Sequence, residues 1–193
     1  MMGDLVWIFF SSMVVNNFTL MLFLGLCPFL GVSGKIETAL RMGAANTFVL
    51  VMTSLAVWVL NTFILSHAPY LRLIAFIIVI ASLVQIVEMV IKKLSRALFR
   101  ALGIYLPLIT TNCAILALAI FQTNRDYTLA QGLVFAVGSG GGLALALVLM
   151  ASIRESVELA DVPALAQGTA LVLFIAGSLS LAFMGFAGLL SSG

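Results

Sequence analysis

Six long, almost uncharged apolar runs joined by short basic connections constrain this chain more than any other feature. They lie at about Leu5–Val32, Gly43–Leu65, Leu71–Ile91, Ala101–Phe121, Leu129–Ile153 and Gly168–Leu190. A bilayer core takes about 20 apolar residues per helix, and each run is long enough. The runs are continuously apolar rather than alternating, which excludes a closed barrel. Hydrophobic residues make up 63% of the chain and charged residues 8%, where soluble domains carry about 25% charge. Too few polar groups remain to cover a soluble fold. The expected fold is therefore an all-α polytopic membrane protein, a single membrane domain over residues 1–193 with six transmembrane helices.

The charges set an orientation. Lys35, Arg41, Lys92, Lys93, Arg96, Arg100 and Arg154 follow the first, third and fifth runs. Only Arg72 and Arg125 follow the second and fourth. Basic residues stay on the cytoplasmic side, so both termini are expected outside, in the periplasm of a cell with two membranes. The opening segment does not read as a cleaved signal peptide, since Asp4 is its only early charge and no A-x-A site follows. A net charge of +2 with no basic tract excludes a nucleic-acid partner.

Three runs precede the basic stretch KKLSR and three follow it. An odd number turns the second half upside down, so the halves, about 1–94 and 95–193, read as inverted three-helix repeats. The cysteines Cys27 and Cys113 sit in the opening run of each half, and aligning them brings Gly43 near Gly132. Such repeats commonly place a working site near the midplane on broken helices. Runs one and four carry matching breakers: Asn16, Asn17, Gly25 and Pro28 in the first, Pro107, Thr110, Thr111 and Asn112 in the fourth. Counted from Lys35 and Arg100, the two thiols lie roughly 12 and 20 Å into a core about 30 Å thick.

Two isolated thiols in lipid admit three readings. They can be small buried hydrophobes, a disulfide, or ligands of a metal centre, for which iron–sulfur clusters usually take four thiolates. Two are too few, so a partner built the same way would have to supply the rest. Elsewhere, Glu88 is a functional candidate as an acid within a span, yet Lys92 four residues on can neutralise it. His67, beside Pro69, reads as a solvated loop histidine.

The blocks NNFTLMLFLGLCPFLGVSGKIETA, VQIVEMVIKK, LGIYLPLITTNCAIL, IRESVELADVP and LAFMGFAGL, in that order, resemble the RnfA family, the A-type membrane component of Rnf complexes, over about residues 16–190. The next nearest type is NqrE, the E-type component of the sodium-pumping NADH:quinone reductase (Nqr). The short connection SHAPYLR favours the Rnf type. The resemblance implies one subunit of an inner-membrane redox-driven translocase passing electrons between ferredoxin and NAD and moving Na+ or H+. It implies that Cys27 and Cys113 hold a 2Fe–2S cluster shared with RnfE, the homologous and oppositely inserted component. RnfB, RnfC, RnfD and RnfG would be further partners, with FMN, NAD and the other iron–sulfur clusters on other subunits. Gly25, Pro28, Thr111 and Asn112 are expected to line the cluster. Two rival readings stay open, an inverted-repeat secondary transporter and a structural subunit that binds nothing itself.

Overall fold

The computed structural model describes residues 2–15, 17–65, 71–94, 108–109, 112–158 and 168–190. Asn16, His67, Pro69, Arg96, Arg100, Pro107, Thr110 and Thr111 lie outside the described residues. Among the described residues every regular element is a helix. These are α1 (Met2–Phe10), α2 (Phe18–Met21), α3 (Leu26–Val32), α4 (Ile36–Leu60), α5 (Arg72–Leu94), α6 (Cys113–Asn124), α7 (Leu129–Glu158) and α8 (Thr169–Leu190). Wider π-type turns extend α1 over Ser11–Val15 and α4 over Asn61–Leu65.

Three stretches are long and apolar enough to cross a bilayer: Ile36–Phe63, Arg72–Val90 and Leu129–Val157. Gly3–Val15, Cys113–Asn124 and Thr169–Gly185 are shorter apolar helices. The first run is not one helix but the segments α1, α2 and α3, as its breakers imply. Two span ends differ from the sequence reading by five residues or more. The second span opens at Ile36 rather than Gly43, and the fifth runs on to Glu158, past Ile153. Charge does not stop these helices, because their end turns leave the hydrocarbon and Lys or Arg heads reach water along their stems. Glu37 and Arg41 form an exposed ion pair one turn apart at the start of α4.

The centre of the fold is the pair α4 and α7, packed along most of their lengths. Lipid offers helices no hydrophobic drive to associate, so close backbone approach over small residues does that work. A Cβ added to Gly43 would fall 2.6 Å from the Ala144 methyl and 2.9 Å from its Cα, and one at Gly140 would strike Thr47 at 2.6 Å. The pairing runs backwards in number along α7, so the two helices are antiparallel. Around this pair lie α1 against α7, α6 against α4, and α5 against both α4 and α6.

The outer surface is apolar, and the apolar core also encloses polar side chains. Ile78, Phe174 and Leu181 stand on the outer surface, while Ser12, Asn17, Asn46, Thr53, Ser54, Asn112, Gln122 and Ser180 are buried. In lipid an unsatisfied polar group costs several kcal/mol, so the amides turn inward to find partners.

Two helix breaks that carry the cysteines

Each cysteine opens a helix. Cys113 is the first residue of α6, and Asn112 before it is the N-cap, with extended backbone (φ −75°, ψ 113°). The Asn112 side-chain oxygen accepts from the Ala114 N–H at 3.1 Å, which satisfies one of the donors a helix start leaves free. Cys27 is the second residue of α3, whose N-cap is Gly25 at φ +82°, the left-handed region that glycine enters without strain. Phe23, just upstream, also has positive φ (+53°). For a bulky residue that is an outlier, worth of order 1–3 kcal/mol of strain, and it lies in the break between α2 and α3.

Pro28 plays a different part from the one its sequence position suggests. It does not break the helix, because it sits in the first turn of α3, where its missing N–H is not needed. The break belongs to Gly25. The first bond back into α3 is Phe29 N–H to the Gly25 carbonyl, at 3.3 Å.

The two breaks meet. A Cβ at Gly25 would lie 3.1 Å from the Asn112 side-chain oxygen and 3.6 Å from the Ala114 methyl. Cys27 is two residues from this contact and Cys113 lies between its two partners, so the fold brings both thiols to one neighbourhood. Both are free and exposed, although Gly25, Pro28, Asn112 and Ala114 around them are buried. Neither is packed in the core of this chain. Among the described residues no group of three Cys, His, Asp or Glu forms a metal-sized cluster. Any metal held here draws its other donors from outside those residues.

The supports of the breaks are amides. Asn112 Nδ2 donates to Asn46 Oδ1 on α4 at 3.2 Å. Asn17 is built likewise: it caps α2 with extended backbone (φ −66°, ψ 112°), its oxygen accepts from Thr19 N–H at 3.1 Å, and its Nδ2 donates to the Gly142 carbonyl on α7 at 2.8 Å. One cap of the first half docks on the middle helix of the second, and one cap of the second half docks on the middle helix of the first. At the far end of α3, Arg154 Nη1 donates to Ser33 Oγ at 3.1 Å and lies 3.5 Å from the Leu30 carbonyl. A cation there complements the helix dipole.

Of the residues marked by sequence, Cys27, Cys113, Gly25 and Asn112 come together, and Pro28 sits one residue beyond Cys27. Glu88 is half-buried on α5, away from this group in the chain order and in no described contact with it. Sequence reasoning missed Asn46, Gly142 and Arg154. The signal for Asn46 was a carboxamide inside an otherwise apolar, small-residue stretch, GAANT.

Helices with apolar outer faces and amides inside, interrupted at two segments that meet at Gly25 and Asn112, define a polytopic membrane protein. Comparison with known proteins narrows this. Residues 5–190 match the family model described as "Rnf-Nqr subunit, membrane protein", and the chain belongs to that family. A protein of Syntrophotalea carbinolica, named as the A component of an ion-translocating oxidoreductase complex, is 55% identical over 190 residues, covering 97% of this chain and 98% of that protein. Proteins of the same name from Serratia proteamaculans and Sodalis glossinidius are 51% and 50% identical with the same coverage.

Proposed function

We propose that this chain is the A-type membrane component of an ion-translocating oxidoreductase complex of the Rnf kind, and that Cys27 and Cys113 supply two thiolates to an intramembrane 2Fe–2S cluster. The observation that carries the reading is the contact of the two breaks at Gly25 and Asn112, with an exposed cysteine within two residues of each side of it. Sulfur donors suit iron, and half a ligand set on an exposed face suits a centre completed by a second polypeptide. The homologous RnfE, inserted the other way up, is the partner that fits. RnfB, RnfC, RnfD and RnfG complete the assembly and carry FMN, the NAD site and the remaining clusters.

When bound, the cluster supplies one-electron transfer within the membrane. This chain's residues prepare the thiols for it. Both cysteines stand in first helical turns, Cys27 in α3 and Cys113 in α6. Gly25 and Asn112 fix where each turn starts. Negative charge held in a low-dielectric medium is costly, so a reduced centre held by Cys27 and Cys113 would favour a cation nearby. That supplies a coupling to Na+ or H+ movement.

Six spans in two inverted halves complete the reading, in the inner (plasma) membrane with both termini outside. Its support is the exchange of docks by Asn17 and Asn112. The equivalence this favours is Asn17 with Asn112, rather than Cys27 with Cys113.

The test is iron and acid-labile sulfide analysis of the purified complex, with Cys27→Ala and Cys113→Ala made singly. Each variant is expected to lose the same two irons and the same signal in electron paramagnetic resonance. Full iron in both variants would remove the ligand assignment. Loss of the cluster with ion pumping intact would remove the coupling.

A further inference from the structure

We infer that Asn46 is a positioning residue for Cys113, acting through the cap at Asn112. The inference rests on the ligand role proposed above for Cys113. Asn46 lies on α4 between the two closest points of the central pair, Gly43 against Ala144 and Thr47 against Gly140. It is fully buried, at 0% exposure. From there its oxygen receives the Asn112 Nδ2, and the Asn112 oxygen in turn receives the Ala114 N–H. A chain of two hydrogen bonds thus runs from the central helix pair to the residue after Cys113.

The direction of that chain follows from donor and acceptor chemistry. Which end of an asparagine amide is oxygen is decided by its partners. The Asn112 oxygen is committed to the Ala114 N–H, so its nitrogen must donate. Asn46 must then present oxygen to it, which turns the Asn46 nitrogen away. That nitrogen has no partner among the described residues. A buried amide with an unused donor carries a desolvation penalty, so Asn46 is not the best residue for stability at this place. An acceptor facing Asn112 is what the position provides. On the other side, the missing Cβ of Gly25 leaves room for the same Asn112 oxygen. The Asn112 carboxamide is therefore held between the two breaks, and Asn46 sets its rotation.

The consequence is specific. Loss of the Asn46 acceptor frees the Asn112 amide to turn, weakens the cap, and changes the backbone direction at Cys113 while leaving Cys27, capped separately by Gly25, in place. Asn46→Leu removes the acceptor at similar volume, and Asn46→Asp keeps an acceptor oxygen while deleting the unused amide nitrogen.

Two measurements on the assembled complex separate this from plain loosening. One is the midpoint potential and line shape of the cluster signal. The other is the rate of maleimide labelling of each thiol after iron is chelated from the complex. In Asn46→Leu the Cys113:Cys27 ratio of labelling rates is expected to change about 3- to 10-fold, the scale of one lost buried hydrogen bond, and the signal to shift. Asn46→Asp is expected to keep the unaltered labelling ratio, which is the readout for this variant because a carboxyl can carry charge that itself shifts the potential. Asn46→Ala carries the same expectation as Leu if Leu blocks assembly. The inference is overturned if the labelling ratio stays constant in Leu and Ala, if both thiols change together, or if Asp behaves as Leu. An unaltered complex that contains no iron at these thiols would sink the cluster reading alone, and the labelling ratio would still decide the role of Asn46.

Discussion

Replacing Gly25 with alanine probes the junction of the two breaks directly. At φ +82° an added Cβ meets the following backbone, which costs roughly 1–2 kcal/mol for an L-residue held left-handed. The same Cβ would stand 3.1 Å from the Asn112 oxygen, tighter than ordinary contact, so the amide must give way. If the cap at Ala114 is lost, about 1 kcal/mol more goes with it. Together these make about 2–3 kcal/mol, or a fall of roughly 5–10 °C for a chain of this size. The assay is the fraction of the chain remaining in the detergent-solubilised complex after heating, read by size exclusion. Gly34→Ala is the control, since nothing lies within 4 Å of a Cβ there, and it is expected to match the unaltered protein. Gly25→Asn divides the two contributions, because asparagine tolerates the left-handed region better than alanine yet brings the same Cβ. Partial recovery assigns the cost to backbone strain, and none assigns it to the Asn112 contact. If Gly25→Ala retained as well as Gly34→Ala, the described junction would be wrong.

The other predictions concern its supports. Gly43→Leu should abolish accumulation of the chain in membranes, because Ala144 backbone lies 2.9 Å from the first added carbon, whereas Gly177→Leu, with open space around it, should accumulate normally. Asn17→Ala should destabilise the complex by about 1–3 kcal/mol in the same heating assay, since it strips both a cap and a buried donor to Gly142. Gln122→Met should lie within about 1 kcal/mol of the unaltered protein. It gives up the bond from Gln122 Nε2 to the Ser54 carbonyl but also removes an oxygen buried without a partner among the described residues. Arg154→Ala should lower stability by about 1 kcal/mol or less, as expected of a partly exposed contact, and Arg154→Lys should recover part of it.

How much of this was legible in the sequence depends on the range of the interaction. The long apolar helices follow from local hydropathy, and so does the interruption of the first span, because Asn17 and Gly25 act on their own backbone. Pro28 misleads for a physical reason: proline breaks a helix interior but is tolerated in a first turn, and which applies depends on where Gly25 starts the helix. The start of α4 was placed late because Lys35, Glu37 and Arg41 look like a loop by composition, yet an ion pair one turn apart supports a helix just as well. The contact of Asn46 with Asn112 joins residues 66 apart in the chain. No periodicity encodes it, and only the packing of α6 on α4 reveals that the two amides face each other.

Breaking a helix in lipid exposes backbone groups that the solvent will not satisfy, so each break must bring its own partner. Here one residue type answers twice. The oxygen of Asn17 or Asn112 replaces the missing turn of hydrogen bonding at its own helix start, and the nitrogen reaches across to the other half of the chain, that of Asn17 also donating to the Met13 carbonyl at 3.4 Å. Serine or aspartate could cap equally well, but neither would place a nitrogen donor beyond the cap oxygen. The choice of asparagine therefore links the geometry of each break to the opposite middle helix. Because α4 and α7 are pressed together at Gly43 and Gly140, the two breaks are referred to one common body. Cys27 and Cys113, each within two residues of these breaks, are thereby held relative to the same helix pair, as the proposed sharing of one centre requires.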